Sequence, residues 1–367
     1  MKILLFRSNN IFDSRVNKYH NYFERAGLDY TIIGWDRVGK GWQKEHYDFC
    51  RYKAGEDVGG LKAIRNHITW MRYVYNYLNK HKDVTTIHAC DLNSAFPAAV
   101  FKAFHKRDVT LIFDACDWFS ANFADNKFLQ FCFNIMERFT YSRSNELIIC
   151  ETERKKQIQF RLNKEPLVMR NIPEIDMSQI TPVQDKFRFK NDNPTIAYMG
   201  GFADSRFLME LLILCESEPV NLLIAGYGNK DIVQKCDKAN HQDNVKYFGR
   251  VDMVEGLNME NAADVIYAMY CKVNPNHIYA APNKYYEAML LGKPIITTKG
   301  TIPGDKVEYN DTGWSVEENI EDMRQVLRNL KRDEIERKGK NAKKLWNDKF
   351  KNDLNIFFDN IYSKVIK

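Results

Sequence analysis

Two doubly wound α/β domains are predicted, on three observations: short apolar runs recur along the chain, helical patterns fill the gaps, and one proline-bearing polar stretch divides the whole. The runs are 3–6, 30–33, 84–88, 109–113 and 147–150, then 195–199, 220–225, 245–248, 265–269 and 294–298. Each is near-continuously apolar, as parallel strands covered on both faces must be. Helical spacing marks 15–26, 61–79, 94–106 and 231–239 between them. Repeated βα alternation puts helices on both faces of parallel sheets. The divider is 173–194, with three prolines, several charges and little periodicity, which suits a linker. The expected domains are thus 1–172 and 195–345, facing across a cleft. A helical, charged C-terminal segment, 346–367, is expected to pack back on the first.

The chain has 367 residues, 44% hydrophobic and 28% charged, in keeping with two soluble globular domains of roughly 150–180 residues each. No window approaches the ~18–20 apolar residues that span a bilayer. The opening MKILLFRSNN breaks into polar residues too soon for a signal peptide and reads as a first buried strand. Eight cysteines show no CxxC and no metal-ligand spacing, so free thiols in a reducing cytoplasm are expected. Residues 1–165 carry 26 Lys+Arg against 19 Asp+Glu, and the remainder 28 against 29. That asymmetry suits a first domain facing an anionic partner, or simply a basic solvated surface. Nucleic-acid binding is disfavoured because the basic residues are dispersed and no recognised motif is present.

Ligands of doubly wound sheets bind beyond the carboxyl ends of the strands, so the loops there carry the candidates. The segment PNKYYEAMLLGKP has proline at a helix start and glycine just past its end. Tyr286, Met289 and Leu290 should face the core, while Asn283, Lys284 and Glu287 share another face. A helix N-terminus with a lysine suits a phosphate, and a carboxylate one turn on can read a ribose diol. Together they describe a nucleotide site, or else an amphipathic helix with a solvated charge pair. In the first half, RSNNIFDS follows the first strand without a GxGxxG fingerprint, which argues against a dinucleotide enzyme. Its Asn9 and Asn10, with Arg15, are candidate acceptor contacts, while Asp13 and Ser14 also read as a helix cap. The helix at 61–79 carries Trp70, Tyr73, Tyr75 and Tyr77 among Lys62, Arg65 and Arg72. It reads either as a membrane-surface helix or as a buried helix with a basic outer face.

These residues bring a resemblance into view. PNKYYEAMLLGKPIITT resembles the donor-binding helix of glycosyltransferase family 4 in its PNKxxE form. In the family's order, DSRV resembles the DxRV that opens the first helix, and IHACDL and FDACD resemble two first-domain strand ends. RNIP, AYMGG, LIAGYG and VKYFGR resemble the segments that lead into and through the second domain. The resemblance implies a GT-B fold and retaining transfer of a sugar from a UDP- or GDP-linked donor. It implies no cofactor and no metal, the leaving diphosphate being stabilised by cations and helix dipoles. Arg206 and Lys284 are the implied diphosphate cations, Glu287 the ribose ligand, and Gly200 and Gly201 the points of close backbone approach. Arg250 lies in the segment implied to meet the base.

The sequence also departs from the family. The first glutamate of the E-x7-E pattern falls at Tyr279, and the two first-domain histidines are Cys90 and Cys116. A thiol carries no positive charge and donates weakly. His88, Asp91, Asp114 and Asp117 are therefore the catalytic candidates. Helix capping for Asp91 and turn chemistry for Asp114 and Asp117 are the plainer readings. The implied partners are a nucleotide-sugar donor and a lipid-linked or oligosaccharide acceptor in surface-polysaccharide assembly. The implied location is the cytoplasm or, peripherally, the inner face of the plasma membrane. A sugar-nucleotide epimerase or hydrolase, or a non-catalytic sugar-nucleotide-binding protein, is the alternative.

Overall fold

The computed structural model of the chain describes residues 2–8, 13–55 and 60–366. They form two compact units, Met1–Arg170 with Leu354–Lys367, and Asn171–Asp353. Each unit is built on a wholly parallel sheet with helices on both faces.

The first unit holds β1 (Lys2–Phe6), β2 (Asp29–Trp35), β3 (Tyr47–Cys50), β4 (Thr86–Cys90), β5 (Thr110–Ala115), β6 (Glu146–Ile149) and β7 (Leu167–Val168). Their spatial order is β3-β2-β1-β4-β5-β6-β7. The order reverses between β1 and β4, so the loops after these strands part and open a crevice at the sheet's C-terminal edge. The helices are α1 (Ser14–Arg25), α2 (Gly60–Lys80), α3 (Leu92–Phe104) and α4 (Lys127–Arg143). Trp70, Val74 and Leu78 of α2, Ala95 and Ala98 of α3, and Phe133, Met136 and Phe139 of α4 pack over one face. Tyr19 and Phe23 of α1 cover the other face together with Phe358 and Tyr362 from the chain's last helical turns. Tyr22 stacks on Phe358 with ring centroids 4.8 Å apart.

The second unit holds β8 (Thr195–Phe202), β9 (Asn221–Gly228), β10 (Val245–Tyr247), β11 (Val265–Ala268), β12 (Ile295–Thr298) and β13 (Gly313–Val316), in the order β10-β9-β8-β11-β12-β13. Its switch point lies between β8 and β11. The helices are α5 (Leu208–Leu214), α6 (Lys230–Ala239), α7 (Met253–Ala262), α8 (Pro275–Ile278), α9 (Asn283–Leu291), α10 (Ile302–Asn310), α11 (Ile320–Arg328) and α12 (Arg332–Leu345). Residues 173–194 lie in this unit; Phe187 is buried and packs with Leu223 and Met259. Thr181 donates its backbone N–H to Asn258 Oδ1 at 2.7 Å.

Each of the ten apolar runs read from the sequence overlaps a strand, and the four helical patterns match α1, α2, α3 and α6. Three strands escaped that reading. β3 and β13 interleave polar residues or glycine with apolar ones, and β7 is only two residues at a sheet edge. Trp70 is fully buried and stacks on Trp35 at 5.5 Å, so α2 is a core helix whose outward positions are Arg65, Ile68 and Arg72. Among the described residues no helix is long and apolar enough to cross a membrane.

Candidate functional site

The second unit gathers its candidates around the β8/β11 switch point. α9 forms as its sequence requires, with Pro282 extended at the N-cap and Gly292 left-handed at φ 68°, a conformation that glycine takes without strain. Tyr286, Met289 and Leu290 are buried as their spacing predicts. Lys284 and Glu287 are one turn apart and joined, Nζ to Oε2, at 2.5 Å. They are also nearly closed to solvent, at 8% and 3% exposure, because a third residue completes the cluster. Glu260, in the last turn of α7, is fully buried with Oε1 2.6 Å from Lys284 Nζ. Its carboxyl also lies within hydrogen-bonding reach of Glu287.

Burial pushes the Glu260 carboxyl up to about 8, although Lys284 pulls the other way. Burial opposes the Lys284 ammonium too, but Glu260 and Glu287 outweigh it and hold its pKa above the ordinary value. Near neutrality Glu260 therefore keeps its proton. Glu260 was not singled out from the sequence. The available signal was a glutamate inside the apolar run of α7, where Leu257 and Met259 are buried.

Arg206 stands just beyond β8. Its guanidinium carbon lies 4.1 Å above the ring of Tyr270, which follows β11, and its Nη1 is buried without a partner among the described residues. Burial raises the Tyr270 hydroxyl, while Arg206 and Lys284 act to lower it and Glu287 and Glu260 to raise it. That mutual influence draws Arg206, Tyr270, Lys284, Glu287 and Glu260 into one neighbourhood. Asn283, at the first position of α9, is half-exposed. Asn171 Nδ2 donates to the Ala281 carbonyl at 2.7 Å and steadies the approach to the helix. Tyr279, in the place of the family's first glutamate, closes α8.

Gly200 and Gly201 lie within β8 rather than after it. A side chain at Gly201 would meet nothing within 4 Å, whereas one at Gly226 would strike the Gly200 carbonyl at 2.0 Å. The glycines of the IAGYG run are thus required by the close approach of β9 to β8. Arg250 is exposed and lies 4.3 Å above the half-open ring of Tyr227.

In the first unit the candidates divide sharply. Asp114 is completely buried on β5, and its carboxylate is saturated. It accepts from Arg15 Nε at 2.8 Å and Nη2 at 2.6 Å, from Tyr19 Oη at 3.0 Å, and lies 3.3 Å from His88 Nε2. Arg15 also donates to the Met169 carbonyl at 3.0 Å. His88 Nδ1 lies 2.8 Å from Tyr362 Oη, so the tail helix closes the network. Burial lowers the His88 pKa and keeps the ring neutral. Burial would raise Asp114, but Arg15 and then His88 hold it well below the usual carboxylate range. Ligand atoms of His88, Cys90 and Asp114 come within 4.8 Å of one another, yet the Arg15 guanidinium already supplies the cation there.

Asp91 and Asp117 are the open members. Asp91 has φ 60° and ψ 164°, which a non-glycine residue adopts only under strain. It makes no side-chain cap of α3. Its carboxylate instead accepts from the Cys116 N–H at 3.1 Å and pairs with Arg7, leaving 23% of the side chain open. Arg7, which sequence reasoning passed over, also reaches Asp13 at 2.8 Å and Cys116 Sγ at 3.3 Å. Asp13 caps α1 through the N–H groups of Arg15 and Val16. Asp117 is 64% open at its side chain and pairs with Arg154 at 3.0 Å. Asn9 and Asn10 lie outside the described residues.

Residues 193–333 match the family model for Glycosyl transferases group 1. A sequence search among curated proteins finds no match. Among solved structures, sucrose-phosphate synthase from Thermosynechococcus elongatus is similar at TM-score 0.76 and 15% identity, over 100% of this chain and 99% of that one. Anabaena Alr3699/HepE in complex with UDP and glucose is similar at 0.71 and 13%, over 100% and 99%. S. aureus TarM in complex with UDP and alpha-GlcNAc-glycerol is similar at 0.64 and 13%, again over 100% and 99%. The shared architecture is the GT-B fold. With the family match in the second unit, it marks the chain as an enzyme, a glycosyltransferase.

Proposed function

We propose that the chain is a retaining glycosyltransferase of the PNKxxE branch of family 4. In this reading it moves a sugar from a UDP- or GDP-linked donor to a lipid-linked or oligosaccharide acceptor in surface-glycan assembly, at the cytoplasmic face of the membrane. The observation that carries the donor half is Arg206, whose buried Nη1 has no partner among the described residues beside Tyr270 and the charged start of α9. A buried guanidinium nitrogen left without a partner is costly, and an anionic ligand would satisfy it. At a switch point, where Arg206, Lys284 and Glu287 all act on Tyr270, the fitting anion is a nucleotide diphosphate. UDP stands in the HepE and TarM complexes, which supports a uridine donor.

During transfer the bond from the sugar's anomeric carbon to the diphosphate oxygen breaks, the acceptor oxygen forms the new bond to that carbon, and the acceptor's hydroxyl proton passes to the departing diphosphate. Arg206 and the N–H groups opening α9 stabilise the departing diphosphate, so this role requires no metal. Lys284 holds Glu287 in place to accept from the ribose hydroxyls. Asp91, open and backbone-strained, is the first-unit group assigned to orient the acceptor hydroxyl. Asp114 and His88 act behind it as a buried support.

A thermal-shift screen against UDP, GDP, CMP and their sugars identifies the donor, since a bound ligand raises the melting temperature with occupancy. With that donor, Arg206→Ala is expected to lower turnover on the order of 10²–10³-fold, the usual cost of one transition-state donor. Glu287→Ala is expected to abolish transfer while the protein stays folded. Full activity in either variant overturns the assignment. Donor consumed at an undiminished rate without any acceptor would mark an epimerase or hydrolase instead. Binding without turnover would mark a non-catalytic partner. An α-linked product from an α-linked donor, read by NMR, tests retention.

A further inference from the structure

The outward face of α4 is unlike that of any neighbouring helix. Phe128, Phe131 and Ile135 fall at i, i+3 and i+7 on one stripe and are 73%, 62% and 53% exposed. The opposite face of the same helix is fully used, with Glu137 and Thr140 buried and Phe133 stacked on Phe123. The exposed stripe is therefore not core left over from poor packing. Three large apolar groups in line on a solvated helix mark an interaction surface. Exposed Lys127 and Arg138 bracket the stripe, and exposed Arg143 follows. In the same helical layer α2 presents Arg65, Ile68 and Arg72 outward, and Ile68 is 45% exposed. Asp125, just before the helix, is the exposed acid nearby in sequence.

We propose that this stripe seats on an anionic lipid bilayer, with Phe128, Phe131 and Ile135 entering the headgroup–acyl boundary and Lys127, Arg138 and the α2 arginines meeting the headgroups. Apolar groups between cations fit a negatively charged membrane surface better than a protein groove, which would need acidic walls placed to match. The position also fits the enzyme. α4 runs from the C-terminal edge of the seven-stranded sheet, so Phe128 and Phe131 lie toward the edge that carries Asp91 and Asp117. A lipid-borne acceptor would present its head group at that edge. In this last respect the inference rests on the acceptor named under Proposed function; the seating itself does not.

The test is co-sedimentation of the full chain with phosphatidylcholine vesicles made with and without phosphatidylglycerol, in the absence of donor. The wild type is expected to bind the anionic vesicles and to release them at high salt. The combined Phe128→Ser, Phe131→Ser and Ile135→Ser variant is expected to lose binding on the order of tenfold or more, since buried apolar area sets the affinity. Lys127→Glu with Arg138→Glu should lose binding to anionic vesicles selectively. Both variants change exposed side chains, so an unaltered melting temperature checks the fold, and an unaltered thermal shift with UDP keeps the donor reading separate. No wild-type binding to anionic vesicles, or equal binding by the triple variant, overturns the proposal. So does a wild-type dimer that the triple variant converts to monomer without any vesicle binding.

Discussion

Each unit buries a cluster of opposite charges near its strand ends, and the two are balanced differently. In the first, one carboxylate, Asp114, meets a bidentate arginine, a tyrosine and a histidine. In the second, one ammonium, Lys284, is shared by two acids, Glu260 and Glu287. A saturated network fixes geometry and has nothing to offer a ligand. An acid-rich one holds a proton where a second counter-charge is missing. On the proposed reading, the first is a clamp under the edge assigned to the acceptor, and the second belongs to the donor site.

The sharpest way to break this contrast is to remove the clamp's anion. Asp114→Ala leaves Arg15 buried and uncompensated, and removing one partner of a buried pair costs about 3–5 kcal/mol. The loss should show as faster amide exchange in the first unit's strands, with those of the second unchanged. A loss under about 1 kcal/mol would mean that water reaches Arg15 and that the site is not closed.

The balance of each cluster was only partly legible in the sequence. Spacing alone placed Lys284 beside Glu287, because a helix turn brings i and i+3 together whatever surrounds it. It could not supply Glu260, which reaches them from α7, over twenty residues earlier, through tertiary packing. Asp114 likewise read as a strand-end acid open to the site. Its partners Arg15 and Tyr19 come from the first helix, and Tyr362, which reaches it through His88, comes from the far end of the chain; nothing in local pattern joins them. The fold was more readable, since continuous apolar runs report burial on both faces directly. Where strands were short or interrupted by polar residues, as in β3 and β13, that signal failed.

A second test uses pH, because the two clusters should respond with opposite signs. Glu260 is held up to about 8, so between the ordinary carboxylate range and that value the folded chain keeps a proton the unfolded chain has lost. Stability then falls as pH rises through that window, with a slope of up to ~1.4 kcal/mol per pH unit for one group. Glu260→Gln removes the titration, so the second unit's opening free energy, read from amide exchange after correction for intrinsic base catalysis, should become nearly independent of pH between about 5 and 8. An unchanged slope would assign the proton elsewhere.

The smallest expected effect comes from the far edge of the clamp. Tyr362→Phe deletes the hydroxyl 2.8 Å from His88 Nδ1 and leaves that nitrogen buried without its partner. One such bond is worth about 1 kcal/mol, so exchange in the first unit should quicken by roughly fivefold, far less than for Asp114→Ala. The pH response should survive the substitution. Burial, the largest influence on His88, lowers its pKa, so the unfolded chain binds a proton that the folded chain refuses. Stability of the first unit is therefore lost as pH falls below the ordinary histidine range, opposite to the second unit. If Tyr362→Phe abolishes that acid sensitivity, the hydroxyl rather than burial holds the ring neutral, and the clamp is a tuned titrating group like Glu260.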